Sequence, residues 1–223
     1  MLNRKIITPL LAVAFAVSLY IGNHYRNKSL VADNKAKEAA EMEKQDKEII
    51  QYSIFTMEIV KAKLSPTNQE ITANAIARVS SRVFGSNLEQ KRAFVTLVAI
   101  ESRFNRKAKS PVGATGLTQV MPQYSKEFAD KCGMSAPDPG DLEDTEINLS
   151  IGACQFKSLI EASDGNIAAA LVAYNAGYHS EQLKQLKSMS NIQNIETSNY
   201  VTRFYYVQER VNSIVVDTYT SSD

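Results

Sequence analysis

The residues best placed to do chemistry lie at positions 94–122, FVTLVAIESRFNRKAKSPVGATGLTQVMP. Phe94, Leu97 and Val98 are spaced for one face of a helix, and Glu101 falls one turn past Leu97 on that face. A carboxyl set among apolar neighbours has its ionised form disfavoured, so its pKa rises. Such a group keeps a proton near neutral pH and can hand it to a leaving oxygen. The plainer alternative is a helix-end carboxylate in a surface ion pair with Arg103 or Arg106. Turn formers follow at Asn105, Ser110, Pro111, Gly113 and Gly116, and glycine lets backbone come close to a ligand. A second apolar run closes the stretch at residues 117–122.

The elements that must hold this stretch read as helices, because strand signals are weak throughout. Thr67 with Glu70 resembles a capping box opening a helix in which Ile71, Ala75, Val79 and Val83 recur every four residues, and Gly85 closes it. Ser86 with Glu89 offers a second capping box for the helix that ends at Glu101. A short helix is expected over 123–131 and a turn over 137–140. NIAAALVAYNAGY, residues 166–178, is a thin alanine-rich helix ended by a glycine cap. The last helix carries Tyr200, Phe204, Val207, Val211 and Ile214 on one face and should close the core, with 218–223 as a loose tail.

Upstream of residue 65 the chain changes character. Residues 1–30 read as a membrane anchor or signal segment: Asn3-Arg4-Lys5 is a basic start, and residues 6–22 are uncharged and mostly apolar. That run is near the lower length for a membrane span. Ala14-Phe15-Ala16 offers a cleavage site, but the apolar run continues beyond it, which favours an uncleaved single-pass anchor. Residues 31–64 read as a helical connector. Lys37, Glu38, Glu41, Glu43, Lys44, Asp46 and Lys47 form a solvated charged face. Ile49, Ile50, Ile54, Met57 and Val60 then form an apolar one, for a coiled coil or for packing onto the following domain.

The order of residues from Glu101-Ser102 through Phe104-Asn105, Ala108, Ser110, Gly113-Ala114, Gly116-Leu117, Gln119 and Met121-Pro122 resembles the signature of soluble-type lytic transglycosylases of the lysozyme-like superfamily. Ala173-Tyr174-Asn175-Ala176-Gly177 resembles the family's second motif, and Glu196-Thr197 with Tyr200-Val201 the third. The resemblance covers about residues 87–211 and implies a mainly α, goose-type lysozyme-like domain at 65–217 acting on the glycan strands of peptidoglycan. It implies Glu101 as the sole catalytic acid and base, giving a 1,6-anhydro product. It implies that Ser110 holds Glu101 or the sugar, that Gln119 binds sugar and that Met121 floors the groove. Tyr174 then lies by the acid, Asn175 shapes the helix end, and Glu196 contacts the groove. Each has a plainer reading: a turn former, a structural amide, core, a packing helix, a first-turn helix acid. Thr118 and Tyr124 depart from the family pattern, in which Met and Thr are common there.

Composition narrows the class further. With 223 residues, 44% hydrophobic and a net charge of +1, the chain can bury a core and gives no bulk-charge case for a nucleic-acid partner. Its two histidines, His24 and His179, neighbour no nucleophile motif, and Cys132 and Cys154 lack histidines at zinc-ligand spacing, so no metal or cofactor is expected. The two cysteines form a bridge in an oxidising compartment or remain two buried thiols. The expected partners are peptidoglycan strands and, through the N-terminal helix, the inner membrane. The catalytic domain then lies in the periplasm, in wall turnover or in secretion, conjugation or phage machinery. Two rivals stand beside this: a lysozyme-type hydrolase on the same fold, and a non-enzymatic wall-binding component of an envelope-spanning assembly.

Overall fold

The computed structural model describes the backbone of residues 4–188 and 191–220, and side chains within 24–215 except 25, 27, 139, 189 and 190. The apolar run at 6–22 therefore lies outside the described side chains. Among the described residues no helix is long and apolar enough to cross a membrane. The order is α1 (Arg4–Ile59), α2 (Pro66–Phe84), α3 (Leu88–Ser102), α4 (Pro122–Lys131), a 3-10 turn η1 (Pro139–Glu143), α5 (Thr145–Glu161), α6 (Ile167–Ala176), α7 (Glu181–Lys187) and α8 (Ile195–Thr220). The mainly helical expectation holds. Among the described residues there is no strand, only isolated bridges pairing Lys109 with Thr115 and Thr115 with Val120.

The chain divides after Lys44 into two compact units. In the first, the described side chains from residue 28 to 41 are all exposed, as the alternating charges require. In the second, which begins at Gln45, the end of α1 is part of the core: Ile49, Tyr52 and Met57 are fully buried. Of the two readings of that apolar face, packing onto the following domain is the one realised. Polar links reinforce it. Lys91, fully buried on α3, donates to Gln45 Oε1 at 3.0 Å and to Ser81 Oγ at 2.7 Å, with the Asp46 carboxylate 3.9 Å away. A buried ammonium is tolerable only with such partners. Arg92 pairs with Glu48 and lies over the Tyr52 ring.

α3 is the central element. Ala93 to Ile100 are buried without a break, so the helix is covered on every side, as a helix apolar all round must be. Phe94, Leu97 and Val98 join Ile76 and Val79 of α2, Leu149, Ala153 and Phe156 of α5, and Tyr200, Phe204, Val207 and Val211 of α8 in one core. Glu101 is the first polar side chain on this helix as it leaves the core.

The helix starts differ from the capping boxes expected. α2 is capped by Ser65, whose side chain accepts from Asn68 N–H at 3.3 Å with Pro66 in the first turn, and not by Thr67. α3 is capped by Asn87, accepting from Gln90 N–H at 3.0 Å, and not by Ser86. The period-four row of α2 is buried at Ala75 and Val79, and Val83 packs partly buried against the core, but its first member, Ile71, is 58% exposed. Gly85 does close α2, at φ +59°. α8 continues in helix to Thr220, so the tail expected from 218 starts inside it, and residues 221–223 lie outside the description.

Cys132, at the end of α4, and Cys154, within α5, are joined in a disulfide with their Cα atoms 6.1 Å apart. The bridge closes a loop over a separation of 22 residues. On chain-entropy grounds that contributes about 3 kcal/mol. Replacing both cysteines by serine is expected to lower the melting temperature by roughly 6–12 °C, read by calorimetry. An unchanged melting temperature would show that the loop is already constrained without it.

Candidate active site

The segment after Glu101 turns sharply. Arg103 and Phe104 adopt left-handed backbone at φ +52° and +61°, unusual for residues other than glycine. Two features hold them there. Phe104 is buried, and Ser102 Oγ donates to Leu117 O at 2.7 Å, tying the helix end to the far side of the loop. The loop itself is a network of backbone bonds. Gly116 N–H donates to Ala108 O at 2.9 Å, and Thr115 and Val120 exchange bonds at 2.9 and 3.0 Å. Asn148 of α5 is its anchor. Its amide NH2 donates to Thr115 O and Leu142 O, each at 2.9 Å, and its Oδ1 accepts from Thr118 N–H at 2.9 Å and Thr118 Oγ1 at 2.8 Å. Gly116, at φ +84°, is required because a Cβ would overlap that Asn148 amide and Leu142 O. Gly152 is required because a Cβ would overlap the Thr118 side chain. The threonine that departs from the family pattern thus has its own place, wedged between Asn148 and Gly152.

Glu101 is partly buried where this loop meets α8. Tyr200 Oη donates to Glu101 Oε1 at 2.5 Å. Burial raises the Glu101 pKa to about 7, against the opposing effects of the Tyr200 hydrogen bond and the Arg203 charge. The surface ion pair with Arg103 or Arg106 is not formed, since Arg106 instead reaches Glu143 O at 3.4 Å. Tyr174 Oη donates to Thr118 O at 2.7 Å, and its ring meets Phe156 edge-on at 6.1 Å. Burial, then the charge of Glu101, pushes the Tyr174 and Tyr200 hydroxyls well above their usual range, so both stay neutral donors. A carboxyl with its pKa raised to about 7, held by a phenol and influenced by the Arg203 charge, is equipped to give a proton and take it back.

The other expected residues are placed as follows. Ser110 Oγ accepts from Ala114 N–H at 3.0 Å, closing the turn that carries Gly113. Gln119 has φ +52°, and its NH2 donates to Ala108 O at 3.2 Å and Gly116 O at 2.9 Å, which leaves Oε1 as the atom a ligand could use. Met121 caps α4, partly exposed. Asn175 follows Tyr174 at the end of α6, before Gly177 at φ +94°. Glu196 is exposed and shares an open groove of about 650 Å³ with Asn199, Tyr200, Thr202, Arg203 and Tyr206. Sequence reasoning put Tyr200 in the core and in the third motif, but not on the acid, and it passed over Arg203. Their positions, Tyr200 about one helical turn and Arg203 about two turns beyond Glu196 on the same helix, were the available signal. Among the described residues no cluster of His, Cys, Asp and Glu has metal-ligand character.

Tyr200→Phe removes a hydrogen bond that lowers the Glu101 pKa. The alkaline limb of the pH–rate profile should therefore move to higher pH, with the fold retained. A limb that stays in place would mean that the Tyr200 hydroxyl does not act on the titrating group.

The buried α3 and the raised-pKa carboxyl at its end give a mainly helical domain built around one candidate acid. Residues 86–196 match the family model described as the transglycosylase SLT domain. The chain is 36% identical over 96 residues to the soluble lytic murein transglycosylase of Salmonella typhimurium and 35% identical over 96 residues to that of Escherichia coli. In each case the match is 42% of this chain and 14% of the relative, so the chain corresponds to a small part of those proteins. Solved structures agree in fold. An inactive mutant of the lytic transglycosylase Slt from Pseudomonas aeruginosa superposes with TM-score 0.55 at 24% identity, covering 63% of this chain and 24% of that one. The 70 kDa soluble lytic transglycosylase of E. coli gives 0.53 at 19% identity, covering 76% of this chain and 30% of that one.

Proposed function

We propose that the chain is a peptidoglycan lytic transglycosylase that cleaves the β-1,4 bond between N-acetylmuramic acid and N-acetylglucosamine. The observation that carries this is Glu101, raised to about 7 and hydrogen-bonded by Tyr200 within a transglycosylase domain. Protonated Glu101 gives its proton to the bridging oxygen as the bond from that oxygen to muramic C1 breaks. The bonding pair leaves with the N-acetylglucosamine hydroxyl, and positive charge develops at C1. The Glu101 carboxylate then takes the proton of the muramic C6 hydroxyl as O6 closes on C1. The acid is regenerated, a 1,6-anhydro ring forms, and no water is consumed. Tyr200 holds the carboxyl in place throughout, and the Arg203 charge favours the intermediate carboxylate. Gln119 Oε1, Met121, Tyr174, Asn175 and Glu196 would line the sugar path, with Ser110 shaping its loop.

The same reading places the domain in the periplasm. The Cys132–Cys154 bridge supports an oxidising compartment, and the apolar run at 6–22 would serve as inner-membrane anchor. A lysozyme-type hydrolase is the second reading, favoured by one observation. Glu196 offers a second carboxylate in the groove beside Tyr200, as hydrolases that activate water require. Mass spectrometry of muropeptides released from sacculi decides between them. Anhydro-muropeptides, one water lighter, support the lyase; reducing ends overturn it.

A further inference from the structure

Most described arginines of the catalytic unit are committed to carboxylates or carbonyls. Arg78 and Arg82 pair with Glu146, Arg92 with Glu48, and Arg106 reaches Glu143 O. Arg103 and Arg210 have no such partner among the described residues, and neither does the one arginine in the groove beside Tyr200, Arg203. Its exposed guanidinium makes no hydrogen bond or ion pair among the described residues, yet it lines the groove of about 650 Å³ one turn beyond Tyr200, which holds the acid. Tyr206, one turn further on, is 60% exposed in the same groove and packs against no other described ring. Glu196, Tyr200, Arg203 and Tyr206 recur at three and four residues, so they make one stripe along α8. An uncommitted guanidinium suits a planar carboxylate, and an exposed phenol ring suits the apolar face of a sugar.

We propose that Arg203 and Tyr206 extend the glycan groove along α8 and select for the acidic lactyl-peptide branch of the polymer. Arg203 pairs with a carboxylate of that branch, and Tyr206 stacks on a neighbouring sugar. The inference rests on the transglycosylase reading and adds a specificity to it. The carboxylate has two sources, the stem peptide or the lactyl group itself once the peptide is removed.

The test is binding by the full chain carrying Glu101→Gln, so that turnover does not enter. Three probes are compared: soluble peptide-bearing glycan strands, the same strands stripped of peptide by an amidase, and a neutral N-acetylglucosamine oligomer. Adding Arg203→Gln should weaken binding of peptide-bearing strands about tenfold and leave the neutral oligomer unchanged. Arg203→Lys should recover part of the loss. A loss on peptide-bearing strands reports a stem-peptide carboxylate, because the lactyl carboxyl is there tied up as an amide; if stripped strands are weakened as well, the freed lactyl carboxylate takes the same place, and if they are not, the stem peptide alone is the partner. Tyr206→Ala should weaken all three probes and Tyr206→Phe restore them. The proposal is overturned if Arg203→Gln binds peptide-bearing strands as tightly as its parent, or loses the neutral oligomer equally. A parent that binds none of the probes sinks the transglycosylase reading itself, a distinct result.

Discussion

Replacing Glu101 by glutamine is expected to leave a folded protein whose release of soluble material from cell-wall sacculi falls by about a thousandfold, since a positioned general acid contributes on that order. Glutamine keeps the shape and can still accept the Tyr200 hydrogen bond, but it has no proton to give. A purified variant that solubilises sacculi at the wild-type rate would contradict the assignment of the acid. The same substitution carries a stability signature. The folded pKa of Glu101, about 7, stands above the ordinary 4.5. Between those values the unfolded chain has lost the proton that the folded chain retains. Stability therefore falls as pH rises through this window, and above it the full penalty applies, about 3 kcal/mol. Glu101→Gln should accordingly melt higher than wild type at about pH 8, with the difference vanishing toward about pH 4. Loss of activity joined to a gain in stability would mark a site that holds its acid against its preference for water.

The second large effect is expected at Asn148, which touches no reacting atom. Its side chain makes four hydrogen bonds that link Thr115, Thr118 and Leu142 behind the Glu101 loop. Asn148→Ala leaves the Thr118 N–H and the Thr115 and Leu142 carbonyls without these partners inside the fold. The expected cost is about 3–5 kcal/mol, measured by denaturant unfolding. Hydrogen exchange should rise across residues 108–120 first, because that segment loses its anchor. Activity should fall with it, since Ser102 and Tyr174 both bond carbonyls of this loop. A loss below about 1 kcal/mol, within the range of ordinary surface changes, would mean that the loop is held by its own backbone bonds.

What the sequence made legible follows the range of the interaction. Glu101 could be read because its burial depends on Leu97 and Val98, within one turn of the same helix. The alanine-rich α6 and its Gly177 cap were legible for the same reason. The caps of α2 and α3 were misread because Ser65 and Thr67, and Ser86 and Asn87, are competing cap residues one or two positions apart. Which of them bonds the free N–H groups depends on where the chain enters, and local pattern does not carry that. Ile71 shares the four-residue period of Ala75, Val79 and Val83 but not their burial, because at the first turns of α2 it is Thr72 and Ala73 that are buried. The Tyr200 contact with Glu101 spans 99 residues, and the Asn148 bonds to Thr118 span 30. No spacing rule reaches that far. The disulfide stayed open at the sequence level for a related reason: two cysteines fix a loop length, while the approach of their Cα atoms belongs to the packing of α4 on α5.

The proton on Glu101 is the point on which the mechanism stands, and it can be observed without turnover. Carboxyl carbons labelled with 13C in all glutamates can be followed by NMR as pH is raised, with the Glu101→Gln spectrum identifying the resonance. The mechanism requires that this carboxyl lose its proton near pH 7, as its burial implies. A Glu101 resonance titrating at the ordinary value of about 4.5 would mean that the group is already ionised at neutral pH, with no proton to deliver to the glycosidic oxygen.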